Sequence, residues 1–210
     1  MNPQRLTIAT IAIAVIVVAG ILIAPRLSPA TADELDVSGQ PILGDANAPV
    51  TMVVFEDFRC PGCQNFELNV MPDIRRDYVD GGRVRVAYVN LPVVNPVTAS
   101  EHVARVGECV FRQSNDAFWE MKTPLYRAQA ELGNARRTVE LALTYAPGID
   151  GGALDACIGE ASSLQAVRDD VALATRLQVR STPSVFVNGI AVATPSASAV
   201  RTALDAALRN

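Results

Sequence analysis

The sequence predicts an α/β protein in which a β-α-β half and a β-β-α half are separated by a long helical insertion, behind an N-terminal membrane helix. Apolar β-branched runs of strand length occur near residues 50–55, 84–91 and 184–193. Helical spacing of apolar residues fills 98–178 between them, and an uncharged apolar stretch begins the chain. Periods of two and of 3.6 residues are typical of strands and helices respectively, so this alternation predicts the order of elements.

Composition indicates a folded protein and excludes one class of partner. The chain has 210 residues, of which 50% are hydrophobic and 19% charged, which is too apolar for a disordered chain and enough for one or two domains. The formal net charge is −4. Binding to nucleic acid requires a basic face that neutralises phosphates, and none is evident here, so we expect no nucleic-acid partner.

The first element is an apolar segment from Leu6 to Ala24, which contains 19 residues and no charge. A helix of this length spans about 28 Å, close to the thickness of a bilayer core. A cleavable signal peptide is the alternative, because Ala30-Thr31-Ala32 has the small-x-small pattern of a cleavage site. The apolar run exceeds the usual length of about 7–15 residues for a signal peptide, so we favour a retained anchor with residues 1–5 in the cytoplasm.

Residues 25–41 are predicted to be a linker because of their small, polar and proline-rich composition. The first half of the fold then covers residues 42–97. Val50–Phe55 is predicted to be a strand, Pro61 begins a helix, and Gly81-Gly82 ends that helical region before a second strand over Val84–Leu91.

The predicted insertion covers residues 98–178, where Gly and Pro residues punctuate several amphipathic helices. The second half of the fold, residues 179–210, returns to strands. Two apolar runs flank Asn188-Gly189, which is a strong signal for a β-hairpin. Ser196 can cap the last amphipathic helix.

Four cysteines in an exported chain indicate redox chemistry or disulfides. Two of them form Cys60-Pro61-Gly62-Cys63, where the first strand passes into the first long helix. Free N–H groups and the positive end of the helix dipole stabilise a thiolate at this position. We therefore predict that Cys60 is the exposed nucleophile and that Cys63 is the shielded thiol that resolves a mixed disulfide.

Two other interpretations of this motif are weaker. A zinc site would need a second close pair of ligands, and the remaining candidates Cys109, Cys157 and His102 are scattered. A purely structural bridge between Cys60 and Cys63 would close so small a loop that it would add little stability. We therefore expect no metal.

Cys109 and Cys157 both fall in the helical insertion. A second redox pair would be expected to have a short-spacing motif, which these residues lack. We predict a structural disulfide between them, worth about 4 kcal/mol in the loop-entropy model. The sequence alone does not prove this pairing.

Three segments together carry a family resemblance: Gly44–Val50, Val53–Cys63 and Val179–Gly189. In order and spacing they resemble the DsbA-like branch of the thioredoxin superfamily, over residues 42–210. The resemblance implies a thioredoxin fold, catalytic Cys60 and Cys63, and no separate cofactor. It also implies that Thr182-Pro183 is a cis-proline loop beside the thiols, where the extended backbone could bind substrate like an added strand.

The sequence departs from this family at two places. Strong oxidants of the family carry His between the cysteines, whereas this chain has Pro61-Gly62. Many relatives have a buried Glu six residues before the first cysteine, and here that position is Val54. Glu56 lies on the same strand face by alternation and could act as the proton relay to Cys63, or it could be solvated at the strand end. We interpret His102 as a helix residue and not as a catalytic base.

The resemblance implies an extracytoplasmic, membrane-anchored thiol:disulfide oxidoreductase that introduces disulfides into reduced, unfolded exported proteins. A membrane quinone reductase of the DsbB or VKOR type would reoxidise it. We expect a monomer, and isomerisation is disfavoured because no dimerisation domain is visible. The alternatives are a membrane-tethered thiol reductase, for example in cytochrome maturation, and a non-catalytic thioredoxin-like binding module.

Overall fold

The computed structural model describes residues 35–209 of the chain. The predicted anchor at residues 6–24 and the alternative cleavage site after Ala32 lie outside this range, so both stay predictions. Across residues 35–209, every helix is too short or too polar to cross a bilayer.

A five-stranded mixed sheet forms the centre of the domain, with strand order β1-β3-β2-β4-β5. The strands are β1 (Ile42–Leu43), β2 (Val50–Glu56), β3 (Val84–Asn90), β4 (Ser184–Val187) and β5 (Ile190–Val192). Strands β2 and β3 are parallel, and the other neighbouring pairs are antiparallel. A parallel pair needs a crossover connection, which here contains the first helices.

Helices of the two outer halves cover one face of the sheet. They are α1 (Pro61–Asn69), α2 (Met71–Ile74), which continues through a π-helical turn (Arg75–Val79), and α8 (Ala197–Ala207). Alternate residues of the central strands pack against them, and the buried members include Met52, Val54, Val86, Val185, Phe66, Ile74, Val200 and Leu204. The strand pattern of period two therefore places even-numbered residues of β2 toward α1.

The insertion consists of five helices and one 3-10 turn. These are α3 (Val97–Gln113), α4 (Asn115–Arg127), the turn (Gln129–Glu131), α5 (Ala135–Tyr145), α6 (Gly151–Gly159) and α7 (Ala161–Arg176). The predicted α/β class with a helical insertion between two halves is confirmed. A disulfide between Cys109 of α3 and Cys157 of α6 crosslinks the insertion, with a Cα–Cα distance of 5.7 Å.

The opposite face of the sheet packs against α7. Val53 and Phe55 of β2 contact a cluster that includes Leu173 and Ala174 of α7. Leu35 is also buried in this cluster. Part of the segment that was predicted to be a linker, residues 25–41, therefore belongs to the folded domain.

Candidate active site

The turn that carries the redox motif lies between the end of β2 and the start of α1. Cys60 is the N-cap of α1 in an extended conformation, and Pro61 occupies the first turn of the helix. Proline suits this position because the N–H that it lacks would have no partner within the helix. The Cys60 N–H donates to the Asp57 carbonyl over 2.9 Å. The cysteine side chain is therefore held at the positive end of the helix, as the sequence predicted for this motif.

The two thiols of the motif differ in exposure and in acidity. Cys60 is half-buried and Cys63 is fully buried. A hydrogen bond from the Cys63 thiol lowers the pKa of Cys60 to about 5; burial opposes this, and the backbone N–H groups of Cys63 and Gly62 lower it further. Burial raises the pKa of Cys63 well above its usual value. At neutral pH the pair therefore consists of an accessible thiolate and a buried thiol.

The loop before β4 completes the front of this site. The pairing of β4 with β2 places Ser184 opposite Phe55, which brings the preceding residues beside the Cys60 turn. The Thr182–Pro183 peptide bond is cis. The Cys60 Sγ lies 3.3 Å from the Thr182 carbonyl oxygen. Gly62 faces the same loop, since a Cβ on this glycine would lie 3.2 Å from Pro183 Cδ. The structure therefore brings Cys60, Gly62 and the Thr182-Pro183 loop together.

Glu56 lies behind the cysteines, at the end of β2. It is only 1% exposed, so the alternative of a solvated Glu at a strand end is wrong. Its Oε2 lies 2.8 Å from the Lys122 Nζ of α4. The same ammonium pairs with Glu67 of α1, which also accepts a hydrogen bond from the Thr123 hydroxyl. Two buried carboxylates therefore share one buried cation.

This buried cluster holds two carboxylates and one ammonium, and the pKa values of Glu56 and Lys122 are shifted in it. Burial raises the pKa of Glu56 to about 7; Lys122 opposes this and Glu67 adds to it. Burial lowers the pKa of Lys122, but the two carboxylates raise it by more. The ammonium also lies 5.1–5.5 Å from the ring centroids of Tyr88, Trp119 and Tyr126, a geometry that favours a cation. Lys122 therefore stays charged, and Glu56 is the member that titrates near neutral pH.

Sequence reasoning missed Lys122, although two signals pointed to it. It is the only lysine in the chain. It also lies four residues after Phe118, on the helix face that Phe118 and Leu125 share. The pattern therefore places a cationic side chain on the apolar face of α4. A charged side chain at such a position needs a buried partner.

Asp57 and His102 lie outside the redox pair and make structural contacts. Asp57 accepts hydrogen bonds from the backbone N–H groups of Arg59, Val93 and Val94, and so links the turn to the loop after β3. His102 lies on α3, with Nε2 3.2 Å from the Ala135 carbonyl oxygen.

Among residues 35–209, no three His, Cys, Asp or Glu side chains are grouped so that they could hold a metal ion. The sulfurs of Cys109 and Cys157 are bonded to each other and are not thiolate ligands.

Comparisons with known proteins support the fold. The thioredoxin family model matches residues 36–206. The probable disulfide bond formation protein D of Bacillus anthracis is 32% identical over 176 residues, which cover 82% of this chain and 80% of that protein. The crystal structure of oxidised BdbD from Bacillus subtilis superposes with a TM-score of 0.76 at 25% identity and covers 83% of this chain and 96% of that one. Wolbachia pipientis alpha-DsbA1 shares the fold, with a TM-score of 0.73 at 17% identity over 86% of this chain and 96% of that one.

Proposed function

Since the chain belongs to the DsbA-like branch of the thioredoxin superfamily and is a thiol:disulfide oxidoreductase, we propose that it oxidises reduced, unfolded proteins outside the cytoplasm with Cys60 and Cys63 as its redox pair. The observation that carries this proposal is the difference between the two thiols. Cys60 is accessible and has a pKa of about 5, whereas Cys63 is buried and protonated. A stabilised thiolate in the reduced form makes the disulfide form a strong oxidant.

The reaction begins with the Cys60–Cys63 disulfide. A client thiolate attacks Cys60 Sγ, a client–Cys60 bond forms, and the bond between the two cysteines breaks with its electron pair on Cys63. Because burial raises the pKa of Cys63, this sulfur takes up a proton as it leaves. Glu56 is buried behind it with a pKa of about 7 and supplies that proton.

A second client thiolate then attacks the client sulfur of the mixed disulfide. The client disulfide forms, and Cys60 leaves as a thiolate. A thiol of low pKa is a good leaving group, so this step is fast. The client loses two electrons and its two thiol protons, of which one reaches Cys63 by way of Glu56 and the other goes to solvent.

The Thr182-Pro183 loop supports client binding. Its backbone lies beside Cys60, where an extended client segment could pair with it as an added strand. Such pairing uses main-chain groups and therefore accepts clients of many sequences.

Each turnover leaves the enzyme reduced, so it needs an electron acceptor. From the resemblance to DsbA-like proteins, we propose that a membrane partner of the DsbB or VKOR type accepts these electrons. The apolar segment at residues 6–24 would hold the domain beside such a partner as a single-pass anchor. We propose that the enzyme acts as a monomer without a separate cofactor.

The test is the redox equilibrium of the full chain in detergent, measured in graded glutathione buffers by thiol alkylation and mass. We expect a reduction potential close to that of DsbA, about −120 mV, and far from that of thioredoxin, about −270 mV. The lower value would replace the oxidase with the reductase alternative. A Cys60→Ser variant should lose dithiol oxidation, and full turnover by it would refute the assignment of the nucleophile.

Location is tested separately in intact cells. In intact cells treated briefly with a membrane-impermeant reductant, a membrane-impermeant maleimide should label Cys60, and the labelled protein should stay with the membrane fraction after a carbonate wash. Labelling only after lysis would refute an extracytoplasmic site, and release by carbonate would refute a retained anchor.

A further inference from the structure

The helical insertion contacts the Cys60 turn through a residue close in sequence to the nucleophile. The ring of Phe58 is only 1% exposed and belongs to the core of the insertion. Its centroid lies 5.2 Å from that of Tyr126 on α4 and 5.4 Å from that of Tyr88 on β3. The turn is thus anchored in a core to which distant parts of the chain contribute.

A glutamine of the insertion donates hydrogen bonds to the backbone of the same turn. Gln129 lies in the 3-10 turn after α4. Its Nε2 donates to the Phe58 carbonyl over 2.8 Å and to the Cys60 carbonyl over 2.9 Å. Both donors of the side-chain amide are therefore used on the turn. In the opposite direction, Gln64 of α1 donates to the Tyr126 carbonyl over 2.6 Å.

We propose that Gln129 is a positioning residue, through which the helical insertion sets the stability of the Cys60 thiolate. The N–H groups of Gly62 and Cys63 stabilise the sulfur only if the backbone of Cys60 has the right orientation. That orientation is fixed at the Cys60 carbonyl, which accepts from Gln129 and also from the Gln64 backbone N–H over 3.0 Å.

Gln129 also acts through charge. The Cys60 carbonyl oxygen carries a partial negative charge on the same residue as the thiolate. A hydrogen-bond donor on that oxygen reduces the repulsion, as donors near a sulfur anion generally do. Gln129 therefore favours the thiolate without touching the sulfur.

The inference rests on the proposed function, because it presupposes that Cys60 is a thiolate of low pKa. We would compare Gln129→Met, which keeps the side-chain length but removes both donors, with Gln129→Glu, which adds a negative charge. Gln165→Met is the matched control, since Gln165 is exposed on α7 and contacts Asp169 of the same helix. All variants are made in the full chain and checked for folding by circular dichroism.

The primary readout is the titration of Cys60, followed by the ultraviolet absorbance of its thiolate. Gln129→Met should increase the proton affinity of Cys60 by about threefold to tenfold, the effect expected for one or two lost hydrogen bonds. Gln129→Glu should increase it further, and Gln165→Met should leave it unchanged. The equilibrium with glutathione should shift in the same order, toward a less oxidising enzyme, because the reduced form loses stabilisation.

A purely structural role predicts another pattern. If both Gln129 variants keep the wild-type titration while only the thermal midpoint falls, the inference is wrong. If Gln129→Met does not fold, the Glu variant decides alone, since it keeps a polar side chain of the same length. A wild-type Cys60 that titrates like an ordinary thiol would instead refute the proposed function, whatever the variants do.

Discussion

Substitution of Glu56 by Gln should remove a specific dependence of stability on pH. The carboxyl has an ordinary pKa of 4.5 in the unfolded chain and about 7 in the folded one. Between these two pKa values the folded state binds more protons than the unfolded state, so the free energy of unfolding falls as pH rises. Below pH 4.5 the carboxyl is protonated in both states, and Glu56 lowers the free energy of unfolding by nothing. The difference in pKa corresponds to about 3 kcal/mol, lost from roughly pH 4.5 to pH 7.

The assay is urea unfolding at a series of pH values, with the oxidised protein. Joining Cys60 to Cys63 prevents either thiol from titrating, so their large pKa changes do not contribute. Asp170 also has a pKa that burial raises, to about 6, but it is present in both proteins and cancels in the difference. Relative to Glu56→Gln, the free energy of unfolding of the wild type should therefore fall by about 3 kcal/mol between pH 4 and pH 8.

Glu140→Gln is the control, because Glu140 is exposed on α5 and pairs only with surface arginines. It should follow the wild type within about 0.5 kcal/mol at every pH. If the difference between wild type and Glu56→Gln stays flat from pH 4 to pH 8, Glu56 does not titrate in this range. The proton transfer to Cys63 would then lose its donor.

Three further predictions follow from the same cluster and from the insertion. Glu56→Gln should slow reduction of the active-site disulfide by a dithiol by about 10²-fold or more, measured by stopped flow, whereas Glu140→Gln should not. Lys122→Met should lower the free energy of unfolding in urea by about 3–5 kcal/mol at pH 8 and by less at pH 5, because it leaves two buried carboxylates that can be neutralised only by protonation. An equal loss at the two pH values would contradict the shared ion pair. Replacing Cys109 and Cys157 together by Ala should cost about 4 kcal/mol of stability and leave the Cys60 pKa unchanged; an altered pKa would mean that the disulfide also shapes the site.

Local patterns in the sequence were sufficient for the long elements and for the redox motif. Strands β2, β3 and β4 alternate or are continuously apolar, and the order of helices follows apolar spacing. Strand β1 was not predicted, because two residues carry no period; it forms only because β3 offers an edge to Ile42 and Leu43. The start of the fold at Leu35 was missed for a similar reason, since its burial depends on α7.

The state of Glu56 shows what local patterns do not determine. Alternation correctly assigned it to the face of Val54, but the face alone does not distinguish a buried carboxylate from a solvated one. The difference comes from Lys122, which belongs to the insertion and arrives at 2.8 Å only when α4 packs against α1. Two separately weak signals, a glutamate at a strand end and a lysine on an apolar helix face, explain each other once they are paired.

The two cysteines of the site depend to different degrees on local and on distant parts of the chain. The Cys60 N-cap and the first turn of α1 are local in sequence, and they lower the pKa of Cys60, whose carbonyl also accepts a hydrogen bond from Gln129 of the insertion. Cys63 differs from Cys60 mainly because the core of the insertion buries it. The hydrogen bond with Cys60 and the charge of Glu56, which Lys122 holds, raise its pKa further. An isolated β-α-β half would therefore lack the burial that keeps Cys63 protonated, and the insertion supplies this part of the difference in acidity between the two thiols.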